Sequence, residues 1–259
     1  MTDALVLYSV DQRIATISIN RPDKRNALNP ELVKQLIAAL LMAAADQGVK
    51  VVVLKANGNT FSAGADLAYL QQLQQNSYEE NLADSENLKQ LFTTIYYLPK
   101  VVIAQVEGHA IAGGCGLATV CDIIFAVPEA NFGYTEVKLG FVPAIVSCFL
   151  MRKTSETIAK KLLLTGDLFS AQQALDYGLI TYVTNKDEIN LKVHEFALRL
   201  CTETSGNSLM VTKQLIGQTT NPELDKSLSL AVQINAKVRE SEDFKKGVAS
   251  FISKEQIKW

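Results

Sequence analysis

Three short, almost unbroken apolar runs constrain this chain more than any other feature: 51–54 (VVVL), 101–106 (VVIAQV) and 123–127 (IIFAV). A strand with one wet face alternates apolar and polar residues, whereas runs like these suit strands covered on both faces. Helical patterns separate them, so the first half reads strand, helix, strand, helix, strand. That order implies a parallel sheet with right-handed crossovers, an α/β architecture.

Local signals fill in the rest. Residues 4–9 and 13–19 read as a hairpin around Asp11 and Gln12. Asn29-Pro30-Glu31 opens a helix, with Asn as N-cap, Pro at the first position and an acid in the first turn. Leu32, Leu36, Leu40 and Ala43 keep its spacing, and Gly48 is the expected stop. Residues 66–98 read as one polar-periodic helix ended by Pro99. From about residue 143 the pattern is nearly all helical. Ser170 with Gln173 is a capping box, Asn185 with Glu188 is box-like, and Asn221-Pro222-Glu223 repeats the opening at Asn29.

Composition removes several function classes. The 25 Lys and Arg against 27 Asp and Glu leave a formal charge of −2, so no basic excess drives nucleic-acid binding. The most membrane-like window, 110–127, contains three glycines and Asp122, which suits a buried segment of a soluble domain and not a membrane span. The start MTDALVLYSV lacks a basic stretch and does not read as a signal peptide. Cys115, Cys121, Cys148 and Cys201 show no C-x-x-C pairing, which suits reduced core residues and a cytoplasmic location. With only His109 and His194, no H-E-x-x-H metal site exists, and no metal is expected. A phosphate loop and a G-x-S-x-G elbow are absent, and G-C-G-L-A-T at 114–119 lacks the third glycine of a dinucleotide fingerprint. Both histidines read as packing or surface residues.

Two segments stand out together. NTFSAGADL (59–67) and EGHAIAGGCGL (107–117) each follow an apolar strand and place small residues at a strand-to-helix transition. Small residues let backbone N–H groups face a ligand, and two such groups aimed at one point form an oxyanion hole. Tight turns that need glycine for shape alone would look the same.

The segments RPDKRNALN (21–29), FSAGADL (61–67), EGHAIAGGCGLATVCDIIFA (107–126), NFGYTEVKLGFVP (131–143) and LLTGDLFSAQQALDYGLI (163–180) occur in one order along nearly the whole chain. Together they resemble the enoyl-CoA hydratase/isomerase, or crotonase, superfamily. The resemblance implies a crotonase-like spiral of β-β-α turns over residues 1–190 that binds acyl-CoA. A helical C-terminal region, 191–259, would support a homotrimer or homohexamer. It implies an acyl-CoA thioester as the partner, with no separate cofactor, nucleic acid or membrane. The catalytic positions it marks are the backbone N–H groups of Ala65 and Gly113, and the Glu136 carboxylate. Ala63, Asp66, Leu67 and Gly114 fall in its substrate-binding segments, and Lys24 and Arg25 match a loop near the CoA phosphates. Lys254 is a weaker candidate of the same kind.

Two departures matter. Many hydratases of this superfamily carry a first glutamate where this chain has Gly116, so one carboxylate of the usual pair is missing. Family isomerases commonly keep only the second, here Glu136. Against that, G-G-x-G-L with T-E-V-K-L-G-x-V-P-A resembles a subgroup of hydratases for branched or carboxylated enoyl-CoAs, such as methylglutaconyl-CoA. The expected activity is therefore hydration of an enoyl-CoA; the alternatives are a Δ3,Δ2-enoyl-CoA isomerase and a non-catalytic scaffold. The second departure is Pro143-Ala-Ile-Val-Ser-Cys148, where many members have P-G-x-G-G-T. A carboxylated substrate would want a distal cation, for which Arg152 and Lys153 lie nearby in sequence.

Overall fold

The computed structural model describes residues 4–220 and 223–255. The chain starts with an antiparallel hairpin, β1 (Val6–Asp11) and β2 (Ile14–Ile19). Gln12 and Arg13 form its two-residue turn, both at positive φ (46° and 69°), the backbone hand that matches strand twist. A short 3-10 turn, Pro22–Lys24, leads to α1 (Pro30–Ala45). The Asn29 side chain caps that helix by accepting from Leu32 N at 2.9 Å. The helix ends at Asp46, before Gly48, whose N–H donates to the Asp46 carboxylate.

Strand–strand–helix turns follow. The first is β3 (Val51–Ala56) and β4 (Thr60–Ser62), then α2 (Leu67–Leu73) and α3 (Tyr78–Tyr97). The second is β5 (Val101–Val106), β6 (His109–Ile111) and α4 (Gly113–Thr119). The third is β7 (Ile123–Ala126), β8 (Asn131–Gly133), a 3-10 turn at Glu136–Leu139 and α5 (Ala144–Leu150). The chain continues through α6 (Glu156–Thr165), β9 (Phe169–Ser170), α7 (Ala171–Asp176) and β10 (Tyr182–Val183). It closes with α8 (Lys186–Glu203), α9 (Gly206–Thr220), α10 (Leu224–Val238) and α11 (Glu242–Ser253).

Each turn of this spiral gives one strand to each of two sheets. The larger runs β1-β2-β3-β5-β7-β10, parallel after the hairpin, and the smaller runs β4-β6-β8-β9. All six residues of β5 are buried, as a strand covered on both faces requires. The α/β crotonase-like expectation holds.

Several local expectations need correction. Residues 66–98 form two helices, because Ser77 and Glu80 build a reciprocal capping box that starts α3 afresh. The segments 59–67 and 107–117, marked as strand-to-helix transitions, each hold a further strand, β4 and β6, and β8 like them is only three residues long. The second half is not wholly helical, since β9 and β10 join the sheets. Ser170 and Gln173 do form a capping box, whereas the Asn185 side chain makes no cap bond. Asn221 and Pro222 lie outside the described residues. The window 110–127 spans the end of β6, α4 and β7, and no described helix is long and apolar enough to cross a membrane. Cys115, Cys121 and Cys201 are buried; Cys148 is half-buried.

The N-cap on α1 offers a direct check on this local reading. Asn29→Ala should lower unfolding free energy by about 1 kcal/mol, because one first-turn N–H loses its partner. Urea unfolding that shows no change would contradict it.

Candidate active site

The site begins with a loop that the sequence pins in place. Asn26 is fully buried at 0% exposure. Its Nδ2 donates to the carbonyls of Asn57 (2.8 Å) and Thr60 (2.7 Å), and its Oδ1 accepts from Arg21 N (2.8 Å). Arg21 Nη1 meets Asp66 Oδ2 at 2.6 Å and also donates to the Ala27 carbonyl at 3.1 Å. The loop is thereby laid along the turn after β4. Leu28 N donates to Gly64 O (2.7 Å), and Asp66 N donates to Leu28 O (2.9 Å). In such a parallel bridge the groups of the intervening residue, Ala65, point away from Leu28. No acceptor among the described residues takes the Ala65 N–H.

The second turn abuts the first. A Cβ on Gly64 would lie 2.9 Å from the Ala112 Cβ and 3.7 Å from Gly113 N, and Gly64 sits at φ +85°. Only glycine suits both the crowding and the left-handed backbone. Ala112 itself is held at φ 51°, ψ −126°, a strained conformation just before α4. Gly113 is the first residue of that helix, so its N–H has no intrahelical partner.

Ala63, Ala65 and Gly113 line one cavity of about 600 Å³, together with Glu136, Ile145 and Val146. Glu136 opens the 3-10 turn after β8 and is only 7% exposed. Its Oε2 has no hydrogen-bond partner among the described residues, and burial pushes its carboxyl up to about 7. A carboxyl poised there exchanges protons readily near neutrality.

The other sequence candidates separate from this group. Asp66 does not line the cavity; it caps α2 by accepting from Ala68 N and Tyr69 N. Burial acts to raise its carboxyl, but Arg21 and those amides prevail and hold it below the usual range. Leu67 is 42% exposed and also lies outside the lining. Gly114 is buried behind the wall, where a Cβ would fall 2.4 Å from the Ser62 carbonyl. Lys24, the last residue of the 3-10 turn, and Arg25, which follows it, are exposed ahead of Leu28, and neither lines the cavity. Arg152 and Lys153 do not line it either; Lys153 donates to the Cys121 carbonyl at 2.5 Å. His109 is exposed and accepts from Asn131 N at 3.1 Å, a packing role.

Sequence reading missed why Gly116 carries no carboxylate. A Cβ there would lie 2.2 Å from Val146 Cγ1 and 2.9 Å from Phe92 Cε1. The bulky residues after Pro143 occupy the space a side chain at 116 would need. It also missed a polar group on the cavity wall, Tyr69, Asp84 and Arg239, whose members lie too far apart in sequence to signal one another.

With two small-residue turns and one buried carboxyl around a single cavity, the comparisons with known proteins are decisive. The family model described as enoyl-CoA hydratase/isomerase matches residues 9–259. The chain belongs to this family. A Thermus thermophilus protein, provisionally named an enoyl-CoA hydratase, is 42% identical over 244 residues, covering 93% of this chain and 95% of that protein. The 2,3-dehydroadipyl-CoA hydratase of Escherichia coli is 33% identical, covering 96% of each. The crystal structure of an enoyl-CoA hydratase from Mycobacterium avium superposes with a TM-score of 0.86 at 31% identity, covering 98% of each chain. Membership gives the chain the general hydratase/isomerase chemistry of the crotonase fold on acyl-CoA thioesters.

The packing at Gly116 yields a paired expectation. Gly116→Ala should destabilise by about 1–3 kcal/mol, because Val146 is β-branched and buried and cannot turn aside. Adding Val146→Ala should recover part of that loss. Thermal unfolding that shows Gly116→Ala unchanged would mean the space is open after all.

Proposed function

We propose that this chain is an enoyl-CoA hydratase that works with one carboxylate, Glu136. The observation that carries this reading is the buried Glu136 carboxyl, whose Oε2 has no partner among the described residues, on the wall of the cavity that Ala65 and Gly113 also line. The thioester carbonyl oxygen sits between the Ala65 and Gly113 N–H groups. Ionised Glu136 takes a proton from water as the water oxygen bonds to C3. The C2=C3 electron pair moves toward the thioester, and the oxyanion that forms is held by the two N–H groups. Glu136 then returns its proton to C2, and the net change is one water added across the double bond. The helix starting at Gly113 adds a positive dipole end on the oxyanion side.

A second reading has its own observation. The Gly116 position is sealed by Val146 and Phe92, so the cavity offers one carboxyl there, which is all that double-bond migration needs. As an isomerase, Glu136 would remove a proton from C2 of a 3-enoyl thioester and deliver it to C4. Assaying the same thioesters for hydration and for migration separates the two.

In this reading Lys24 and Arg25, just ahead of the cavity-lining Leu28, meet the CoA phosphates. The tail helices serve assembly as a homotrimer or a dimer of trimers. Leu230 and Ile234 on α10 are 58% and 43% exposed, apolar surface that a partner subunit would cover. Leu228, by contrast, is already buried within the chain. The similarity to hydratases of branched or carboxylated enoyl-CoAs, and the substrate in the E. coli relative's name, would put a carboxylate on the acyl tail.

Glu136→Gln tests the assignment. Glutamine keeps the size and polarity, so acyl-CoA affinity should stay within about twofold while turnover of crotonyl-CoA falls roughly 10²–10⁴-fold. Wild-type turnover in this variant would remove Glu136 from the chemistry.

A further inference from the structure

Glu136 opens a turn whose far end is held by the last helix. The Phe141 N–H donates to the Glu136 carbonyl at 3.1 Å, which ties the end of the turn back to its first residue. The helix α11 docks on this turn backbone against backbone, and two glycines allow it. A Cβ on Gly140 would lie 2.3 Å from the Asp243 carbonyl oxygen. A Cβ on Gly247 would lie 2.1 Å from the Leu139 carbonyl oxygen. Neither neighbour is a side chain that could swing aside, so the approach needs glycine on both elements.

Around this contact the packing is local. Phe244 of α11 is fully buried and meets Phe141 at 5.2 Å between ring centroids. Phe244 and Val248 join Leu70 and Leu73 of α2 in a hydrophobic cluster separate from the main core. The same helix reaches the cavity, where Gly247, Ser250 and Phe251 share the lining with Glu136. One side of the Glu136 turn is therefore set by a small packing unit. Moving α11 outward would shift the turn and admit water beside the carboxyl.

We propose that α11 is the positioning element for Glu136, with Gly140 and Gly247 as positioning residues whose backbone contacts seat the turn and seal the carboxyl from solvent. The proposal rests on Glu136 as the group that moves the proton. The groups that act electrostatically with Glu136 are Cys115, pushed up to about 12 by burial, and Tyr134, held well above its ordinary value by burial; both are neutral at pH 7. Of the other charged residues on the lining, Lys138 pairs with Asp167 and Arg239 with Asp84, and Glu255 follows α11.

Infrared titration of the full chain, with Glu136→Gln marking the Glu136 carboxyl band, reads this without turnover. The wild-type midpoint should lie at about 7. Gly247→Ala pushes α11 off the Leu139 carbonyl, and the loss of burial should lower the midpoint by about one pH unit or more, toward 4.5, the ordinary value. Its kcat for crotonyl-CoA should fall about tenfold or more with KM within about threefold, since a misplacement of about 1 Å can cost roughly 10²-fold. Val248→Ala thins the small cluster without a backbone clash. It should lower the midpoint by less, and it decides the matter if Gly247→Ala does not fold. Val193→Ala makes the same deletion on α8 in the main core and should leave the midpoint at about 7. A midpoint that stays at about 7 in Gly247→Ala, or in Val248→Ala where Gly247→Ala does not fold, would overturn the proposal. An equal drop in Val193→Ala would overturn it too, because general loss of stability would then explain the shift. Wild-type turnover in Glu136→Gln would remove the proton-transfer reading instead, while the midpoints still decide whether α11 seats Glu136.

Discussion

The seam between the loop at 21–29 and the turn at 62–66 is the constraint on which the rest of the site depends. Leu28 takes both the Gly64 carbonyl and the Asp66 N–H, and that pairing leaves the Ala65 N–H turned the other way. Buried Asn26 and the Arg21–Asp66 pair hold the loop against the turn. Close packing of Gly64 on Ala112 then brings Gly113 alongside. The two donors are thus placed by backbone bonds and steric contact, with no functional side chain involved. In the proposed reaction such a pair would need no rearrangement as charge develops on the thioester oxygen.

The carboxyl side follows a different logic. Burial raises the Glu136 carboxyl to about 7 against a backbone hydrogen bond that acts to lower it, and its environment thus suits it to the proton transfer proposed for it. Val146 and Phe92 close the space beside Gly116 where a second carboxyl would have to enter. A neighbouring carboxylate would have pushed one of the two groups further from its ordinary range. The absence of a side chain at 116 and the bulk at 145–146 are two halves of one packing solution, and in the proposed reaction they leave proton transfer to one group.

Much of this was legible in the sequence, and the limits have physical causes. The apolar runs marked β3, β5 and β7 because strands covered on both faces must be apolar throughout. Asn29 and Ser170 announced their helices because capping uses side-chain oxygens at set offsets. Ala65, Gly113 and Glu136 emerged from their segments taken together. The smaller sheet did not, since three-residue strands carry too little periodicity to recognise. The break at Ser77 was hidden because the polar pattern continues across it. Asp66 and Gly114 lie in the marked segments but serve as a cap and as a close contact, and only three-dimensional packing separates those roles from ligand contact. Arg239 lies 155 positions beyond Asp84, and no local rule connects residues that far apart.

The central claim is that one buried carboxyl, titrating near neutrality, moves the proton. The pH dependence of kcat/KM for crotonyl-CoA hydration tests it most directly. Glu136 acts as the carboxylate, so activity should hold on a plateau above the midpoint and fall tenfold per pH unit below it. The midpoint should lie at about 7, where burial places this group. A midpoint near 4.5, the ordinary value for a glutamate, or a profile with no acid limb would contradict the account.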